Sequence, residues 1–394
     1  MSRGGGTPSP VRHRKDLAGA HRVVVKVGSS SLAEVGGGLK PGAVEHLEQA
    51  LSGLLERGTQ VVLVSSGAIA AGLEPLGLAR RPRDLATQQA AAAVGQGLLV
   101  AAYSQAFARH ERTVAQVLLT ADDLVRRTHY ANAFRSLDRL LALGVVPIVN
   151  ENDAVATHEI RFGDNDRLAA LVANLVRADA LVLLSDVDAV YDAPPKDGGK
   201  PLREVRTEKD LADVQLGSAG AAGVGTGGMA TKVEAATIAA QSGIPTLVTA
   251  TALADSALNT DEEVGTWFHA RRGRRPLRLL WLEHLARTHG RLILDDGAAK
   301  AIRAGGRSLL AAGIVKVEGD FDNGDPVELA TTGGEVIARG LVAYDSEELP
   351  QMLGRTTKEL RADLGRHYER SVVHADDLAL MGAGTHRPRA RVEK

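Results

Sequence analysis

Short apolar runs alternate with longer amphipathic segments over the first two-thirds of the chain. Runs that are apolar almost throughout, without polar alternation, are typical of strands buried on both faces of a parallel sheet. These runs lie at residues 23–27, 61–64, 145–149, 180–184 and 245–249. Helical segments are predicted between them at residues 41–57, 83–110, 129–143 and 167–177. This order predicts an α/β fold with an open, mainly parallel sheet sandwiched by helices.

The pattern changes near residue 270, where a run of arginines surrounds Pro276. Beyond Arg291 the apolar runs are short, and turns are predicted at residues 321–325, at Gly333-Gly334 and at Arg339-Gly340. We expect a separate small β-rich domain there. The predicted division is a disordered tail at 1–19, an α/β domain at 20–272, a basic linker at 273–289, a β-rich domain at 290–378 and a second disordered tail at 379–394.

Composition narrows the functional classes. The chain has 394 residues and a formal net charge of -1, so it is not a polycation that binds nucleic acid by charge alone. It has no cysteine, which excludes disulfides and thiolate metal sites and is consistent with a reducing cytoplasm. No apolar run is long enough to cross a bilayer, and the first residues lack the apolar core of a secretory signal. We therefore expect a cytoplasmic protein without a membrane partner.

Loops of small residues follow the first two apolar runs. Lys26 interrupts the first run just before Gly28, and a lysine in a buried strand is costly unless its ammonium meets an anion. The second run leads into residues 65–72, where serine hydroxyls and backbone amides precede a helix and could hold an anion. Each feature also fits an ordinary structural role, as a snorkelling lysine or a capped helix.

Polar side chains cluster after the third apolar run. Residues 150–153 read Asn-Glu-Asn-Asp, and residues 164–166 read Asp-Asn-Asp at the start of an apolar helix. One acid would cap that helix, but two acids and an amide exceed what capping needs. Asp166 would remain ionised near the positive end of the helix dipole and could orient lysines or a metal. Because ligands bind beyond the carboxyl ends of parallel strands, we predict that both segments belong to the site.

A glycine-rich segment at residues 225–232 ends in Lys232, in the first turn of a predicted helix. A lysine in that position opposes the helix dipole, so an anionic partner is expected. The segment lacks the Gly-Lys-Ser/Thr spacing of a Walker motif and is therefore not a P-loop; a flexible hairpin is the structural alternative. Together with Lys26, it offers a second cation for binding phosphate.

These segments together favour phosphoryl transfer to a carboxylate. Phosphoryl transfer depends chiefly on positioning and on charge neutralisation. A carboxylate acceptor is already ionised at neutral pH, so the reaction needs no general base. No serine–histidine–acid arrangement and no histidine spacing typical of metal ligands is evident in the sequence.

The motifs, in their order, resemble those of the glutamate 5-kinases, a group of the amino acid kinase family. The matching segments are residues 24–30, 64–72, 150–155, 163–166 and 225–232. Residues 295–298 and 319–321 resemble the PUA domain that many bacterial glutamate 5-kinases carry. The resemblance therefore implies an amino acid kinase fold followed by a small, β-barrel-like PUA domain.

The same resemblance implies an activity and partners. The activity is ATP-dependent phosphorylation of the L-glutamate side-chain carboxylate to glutamyl 5-phosphate, the first step of proline biosynthesis. Mg²⁺ would be carried by ATP, without dedicated protein ligands. Feedback inhibition by proline, assembly into a homo-oligomer (a dimer or tetramer) and transfer of the product to glutamyl phosphate reductase are also implied.

The resemblance assigns roles by position. Lys26 and Lys232 are expected to neutralise the transferring phosphoryl group, and Asp166 is expected to orient them. Glutamate is expected to contact Ser66, Asp153 and Asn165, with Asp153 facing its ammonium group. ATP is expected to contact Lys26, Ser185, Asp186, Thr226, Gly227, Gly228, Met229, Ala230, Thr231 and Lys232. Ser185 replaces the family's usual threonine but keeps the hydroxyl.

Two alternatives stay open from the sequence. Another amino acid kinase, acting on aspartate, acetylglutamate, carbamate or a nucleotide monophosphate, would share the fold and the lysines; residues 150–153 and the PUA-like domain favour glutamate. An RNA-binding protein is the alternative from another class, with residues 271–278 contacting phosphates. RNA is not an expected partner, because the net charge is near zero and few aromatics beyond Phe321 and Tyr344 could stack on bases.

Overall fold

The computed structural model describes residues 11–34, 36–120, 123–124, 126–155, 164–214, 228–271, 277–284, 286 and 288–381. The chain divides into two compact units, Met1–Leu277 and Arg278–Lys394. Each unit has its own hydrophobic core. Of the helices in the described ranges, none combines the length and apolar character that a transmembrane span requires.

The first unit is built on an eight-stranded sheet. Its strands are β1 (Arg22–Val27), β2 (Gln60–Val64), β3 (Val114–Leu119), β4 (Val146–Glu151), β5 (Ala180–Ser185), β6 (Glu204–Val205), β7 (Thr246–Ala250) and β8 (Thr266–Phe268). The spatial order is β3-β4-β2-β1-β5-β7-β8-β6. Neighbours from β3 to β7 are parallel, whereas β8 runs antiparallel to β7. The predicted open, mainly parallel sheet is confirmed.

Helices flank this sheet. They are α1 (Ser29–Leu32), α2 (Ala43–Glu56), α3 (Ala68–Leu73), α4 (Leu85–Ala108), α5 (Arg127–Ala142), α6 (Asn165–Leu175), α7 (Met229–Gln241) and α8 (Ala254–Asn259). Four central strands end side by side, because Val27 pairs with Leu184 and Lys26 with Val64, and the Ser65 amide donates to the Val149 carbonyl at 2.9 Å. Side chains that follow β4, β2, β1 and β5 therefore meet at one edge.

Two glycines let α3 and α4 approach closely. A Cβ atom on Gly95 would lie 1.8 Å from the Ala68 carbonyl oxygen, and one on Gly72 would lie 2.0 Å from the Ala91 carbonyl oxygen. No other residue fits at such distances, so the glycines fix the two helices against each other. The loop of residues 65–67, which connects β2 to α3, is thereby held close to the long helix α4.

The second unit contains a five-stranded mixed sheet with short helices. Helix α9 (Leu277–His284) spans the boundary between the units, and the elements that follow are β9 (Gly290–Leu294), α10 (Asp296–Arg303), β10 (Ile314–Gly319), β11 (Pro326–Thr331), β12 (Val336–Val342), α11 (Thr357–Leu364) and β13 (Val373–Leu380). The strand order is β10-β9-β11-β12-β13, and β9 and β11 are parallel. The predicted second, β-rich domain is confirmed.

Two expectations about the ends of the domains are wrong. Residues 11–19 are not a disordered tail, because Arg14–Gly19 forms a 3-10 helix and Val11 and Leu17 are buried in the first core. Residues 379–380 belong to β13 instead of a tail, and Ala379 is buried. Residues 1–10 and 382–394 of the predicted tails lie outside the described residues. The segment predicted as a linker, 273–289, contains α9 and the division between the two units.

One predicted turn is also wrong. Arg339-Gly340 lies inside β12, whereas Gly333-Gly334 does connect β11 to β12. A Cβ atom on Gly340 would lie 2.3 Å from Val373 Cγ1, so this glycine allows the neighbouring strand to approach. The sequence prediction also missed β3, β6 and β8. Two of these, β3 and β6, are the edge strands of the first sheet. β3 is half-exposed, and Gln116 interrupts its otherwise apolar run.

Candidate active site

The most deeply buried charge in the described part of the first unit is the carboxylate of Asp166, which is fully shielded from solvent. Its Oδ1 atom lies 2.5 Å from Lys26 Nζ, and its Oδ2 atom lies 3.1 Å from Lys232 Nζ. Both lysines are themselves buried. Buried charges persist only when they are paired, so the three groups form one unit.

Each member of this trio comes from a different element. Lys26 is the second-last residue of β1, and Lys232 lies in the first turn of α7. Asp166 lies in the first turn of α6, whose N-cap residue Asp164 accepts a hydrogen bond from the Asp166 amide at 3.0 Å. The positive ends of two helices and the carboxyl end of a central strand therefore point at one place.

The electrostatics of the trio keep Asp166 and Lys26 charged. Burial favours the neutral form of Asp166, but the two lysine charges outweigh it and lower the pKa of Asp166 below its ordinary value. Burial also acts to lower the pKa of Lys26; the charges of Asp166, Asp164 and Asp186 outweigh it, and the net pKa of Lys26 is raised. The site thus holds two fixed ammonium groups in surroundings of low dielectric, where they act strongly on an anion.

Asp164 behaves differently from Asp166. Burial and the nearby charge of Asp166 raise the pKa of Asp164, and the Lys26 charge offsets this only in part. Its Oδ1 atom lies 3.9 Å from Lys26 Nζ. Its Oδ2 atom has no hydrogen-bond partner among the described residues. Asp164 is therefore the acid of the cluster with an oxygen left for a ligand.

A second polar cluster surrounds Asn165, next to the trio in sequence. The Asn165 amide nitrogen lies 2.6 Å from the Ser65 carbonyl oxygen, 2.7 Å from Asn150 Oδ1 and 3.1 Å from Ser66 Oγ. An amide nitrogen carries only two hydrogens, and the two shorter contacts take them. The Ser66 hydroxyl is then available to a ligand. Asp153 lies two residues beyond β4 at the same edge and is half-buried.

A third group of side chains lies beyond β5 and β7. The Ser185 hydroxyl donates to Asp186 Oδ1 at 3.0 Å, and the Ser185 carbonyl accepts from the Thr251 hydroxyl at 3.0 Å. The hydroxyls of Thr251 and Ser31 are 2.7 Å apart. This chain of hydrogen bonds joins α1, which follows β1, to the ends of β5 and β7. Asp186 is exposed, so a ligand could reach it from solvent.

The glycine-rich segment is described only from Gly228 onward. Gly228 is the N-cap residue of α7, and its carbonyl accepts a hydrogen bond from the Thr231 hydroxyl at 2.8 Å. That hydroxyl also lies 3.4 Å from Asp166 Oδ2. Met229 is partly and Ala230 largely exposed in the first turn of α7. Thr226 and Gly227, which were also predicted to contact ATP, lie outside the described residues.

The space beside Lys26 suits a phosphate group. Gly28 directly follows β1, and a Cβ atom there would lie 3.8 Å from Lys26 Nζ, so the backbone of the loop after β1 passes close to the ammonium group. A metal site made of protein ligands alone does not fit. Both Asp166 oxygens face lysines, and no group of three His, Cys, Asp or Glu side chains in the described ranges could hold an ion.

Three residues that shape the site were not predicted individually. Asn150 and Asp164 lie in segments that the sequence did single out, but nothing in the sequence shows which amide or acid makes which contact. Thr251 directly follows β7, and its position after a strand end was the available signal. The sequence-predicted residues Lys26, Asp166 and Lys232 do come together.

The chain matches two families over separate segments. The sequence model described as the amino acid kinase family matches residues 21–250, and that of the PUA domain matches residues 290–364. Both matched segments lie within the corresponding structural units.

Relatives match over nearly the whole chain. The glutamate 5-kinase of Streptomyces coelicolor is 60% identical over 369 residues, which are 93% of this chain and 98% of that protein. The glutamate 5-kinase of Salinispora arenicola is 60% identical and is covered completely by a match to 93% of this chain. That of Thermobifida fusca is 56% identical over 94% of this chain and 96% of its own length.

Proposed function

Since the chain belongs to the glutamate 5-kinases of the amino acid kinase family, we propose that the Asp166 trio acts in transfer of the ATP γ-phosphoryl group to L-glutamate. The reaction yields glutamyl 5-phosphate and is the first step of proline biosynthesis. The observation that carries the proposal is the pair of buried ammonium groups, Lys26 and Lys232, held by one carboxylate at a ligand-accessible sheet edge.

The two lysines stabilise the negative charge of the transition state. A glutamate side-chain oxygen attacks the γ-phosphorus, and the bond from phosphorus to the ADP oxygen breaks as the new P–O bond forms. Negative charge spreads over the phosphoryl oxygens in this transition state. Lys26 and Lys232 offset that charge, and Asp166 holds both ammonium groups in place before the substrates arrive. No group needs to remove a proton, because the attacking carboxylate is ionised.

The Asn165 cluster is the proposed acceptor site. The Ser66 hydroxyl can donate to a carboxylate, Asn165 Oδ1 can accept from the amino acid's ammonium group, and Asp153 supplies a negative charge for that group. Because Asn165 directly precedes Asp166, the acceptor lies next to the lysines. This adjacency supports a proximity role for α6 in bringing the two substrates together.

We place the nucleotide along the opposite part of the edge. Ser185, Asp186, Lys26 and residues 226–232 are its proposed contacts, and the positive end of α7 favours its phosphates. Mg²⁺ would neutralise phosphate charge and be held mainly by ATP; Asp164 Oδ2 is the described carboxylate oxygen that fits as a further ligand.

A substrate panel tests this proposal. The full chain with ATP, Mg²⁺ and hydroxylamine is expected to form hydroxamate from glutamate, and far less from aspartate or acetylglutamate. Hydroxamate from aspartate but not from glutamate would refute the choice of acceptor. Repeating the glutamate reaction with added proline tests the proposed feedback inhibition, which predicts a lower rate.

We also propose a homo-oligomer in the cytoplasm that transfers its unstable product to glutamyl phosphate reductase. Helix α4 supports the assembly, because its 24 residues carry no charge. Val94 and Leu98 are 38% and 41% exposed on it. Apolar faces of this kind are usually covered by a partner.

Sedimentation velocity checks the assembly. Leu98→Glu is expected to reduce the molecular mass in solution, whereas Leu143→Glu, at another exposed leucine, should leave it unchanged. An unchanged mass for Leu98→Glu would exclude the α4 face from the interface.

A further inference from the structure

Tyr103 is a buried tyrosine whose hydroxyl contacts Ser65, the residue before Ser66 in the proposed acceptor site. It lies in α4 and is completely shielded from solvent. Its hydroxyl is 2.9 Å from Ser65 Oγ, and either atom could be the donor. Burial raises the pKa of Tyr103, so the phenol stays neutral and keeps its hydrogen for this contact.

Ser65 is the residue through which this contact reaches the site. Its amide donates to the Val149 carbonyl at 2.9 Å, and its carbonyl accepts from the Asn165 amide at 2.6 Å. Its hydroxyl meets Tyr103, and the residue is 1% exposed. Three elements therefore fix Ser65 from three directions. The next residue, Ser66, carries the hydroxyl proposed to bind the acceptor.

Helix α4 holds this loop at two separate points. The first is the glycine contact, where Gly95 approaches the Ala68 carbonyl at the start of α3. The second is Tyr103, about 12 Å further along the helix at 1.5 Å per residue. One contact alone would let the loop pivot, whereas two contacts at this spacing set its direction.

We propose that Tyr103 is a positioning residue for the acceptor amino acid. Its hydroxyl holds Ser65 so that the Ser65 carbonyl occupies one hydrogen of the Asn165 amide. With the other hydrogen on Asn150, the Ser66 hydroxyl stays available to the substrate. Loss of the tyrosine hydroxyl lets Ser65 turn, and Asn165 is then free to bond Ser66 in competition with the substrate.

This inference rests on the proposed acceptor role of Ser66 and Asn165, so wild-type turnover is measured first. If the wild type uses another amino acid, the proposed function fails, and the variants are then compared with the amino acid that is used. Tyr103→Phe is expected to raise KM for the acceptor about five-fold, as one ligand contact of ordinary strength would. The KM for ATP and kcat should stay within about two-fold.

A matched variant separates positioning from stability. Tyr344 is also fully buried, and its hydroxyl donates to the backbone carbonyls of His367 and Arg370, in the second unit. Tyr344→Phe should lower Tm to a similar degree as Tyr103→Phe but leave the acceptor KM unchanged. An unchanged acceptor KM in Tyr103→Phe would overturn the inference, and so would an equal rise in both variants.

Ser65→Ala provides a second, independent test. The Ser65 hydroxyl also donates to the Ser66 carbonyl at 3.3 Å, so Ser65→Ala removes that contact as well as the one to Tyr103. Because the Tyr103 contact is already lost in Ser65→Ala, adding Tyr103→Phe should raise the acceptor KM no further than Ser65→Ala does alone. Multiplied effects in the double variant would show that the hydroxyls act separately and would refute the proposal.

Discussion

In each unit of the chain, a carboxylate lies between two cationic side chains, but the two clusters differ in burial and in the elements that supply them. In the first unit, Asp166 lies between Lys26 and Lys232, and all three side chains are less than a tenth exposed. In the second unit, Glu328 lies 2.7 Å from the Arg291 guanidinium and 3.7 Å from that of Arg339. Arg291 is 37% exposed there, so water screens that pair.

The two clusters also differ in how the fold assembles them. Glu328 is directly opposite Arg291 on β9 and Arg339 on β12 in strand register, so the arginine cluster is one cross-strand row on a sheet. The Asp166 trio joins the end of a strand to the first turns of two helices.

This difference separates a stabilising ion cluster from a reactive one. Arginines in a strand row are held by their own sheet and have carboxylate oxygens as partners on the sheet surface. Lys26 at a strand end and Lys232 at a helix start present compact charges to a ligand, and their shared carboxylate keeps them fixed before the ligand arrives. The same count of charges thus supports different roles, which the following substitutions test.

The largest effect is expected from removing a lysine of the trio. Lys232→Ala should lower kcat by about 10²–10³-fold, because its charge acts on the transferring phosphoryl group, while KM for glutamate changes little. Arg291→Ala, in the second unit, is the control and should leave kcat unchanged. Steady-state kinetics of both variants check this; normal turnover in Lys232→Ala would refute the role of the lysine.

Removing the central carboxylate should lower the free energy of unfolding much more in the Asp166 cluster than in the Glu328 cluster. Asp166→Asn leaves two buried ammonium groups without a full partner charge and is expected to cost about 3–5 kcal/mol of unfolding free energy. Glu328→Gln should cost about 1 kcal/mol, because its partners are partly exposed. Urea denaturation measures both. Equal losses would show that burial does not distinguish the clusters.

The pH dependence of the Asp166 contribution follows from its lowered pKa. A carboxyl group with a lowered folded pKa contributes stability that is fully present above its unfolded pKa, about 3.9, and is lost as pH falls through the folded value. The unfolding free energy that the wild type gains over Asp166→Asn should therefore be retained from about pH 5 to pH 7 and be lost as pH falls below about 4. A difference that already declines near pH 6 would contradict this sign.

The smallest effect on turnover is expected from deleting the whole second unit, which contains the Glu328 cluster. Every site residue precedes Arg275, so a chain that ends there should fold and keep kcat within about two-fold of the full chain. Circular dichroism and the hydroxamate assay check this. Insoluble or inactive protein would show that the second unit supports the first.

Much of the fold could be predicted because its signals are local. Apolar runs such as residues 61–64 and 180–184 became central strands, since a strand covered on both faces must be apolar throughout. The half-exposed edge strand β3 was missed although it is apolar apart from Gln116, which interrupts the run. The turn expected at Gly340 was wrong, because a glycine inside a strand and one in a turn look alike in sequence.

The sequence predicted which residues belong to the candidate site, but not the distances and hydrogen bonds between them. Placement after a strand end singled out the segment of Asp166. Lys26 was singled out as a lysine within an apolar strand, and Lys232 as a lysine in the first helical turn after a glycine-rich run. Nothing in the sequence indicated the contact between Tyr103 and Ser65, because a tyrosine in a long apolar helix is expected to be an ordinary core residue.

By itself the sequence determined the α/β order, the two-domain division and the residue types available for phosphoryl transfer, because these depend on hydrophobic period, strand ends and composition. Only the tertiary structure decided which Asp166 oxygen faces which lysine, that Asn165 faces Ser65, Ser66 and Asn150, and that Tyr103 of α4 contacts Ser65. Those contacts join residues far apart in the chain, and their distances are set by sheet register and by glycines at helix crossings.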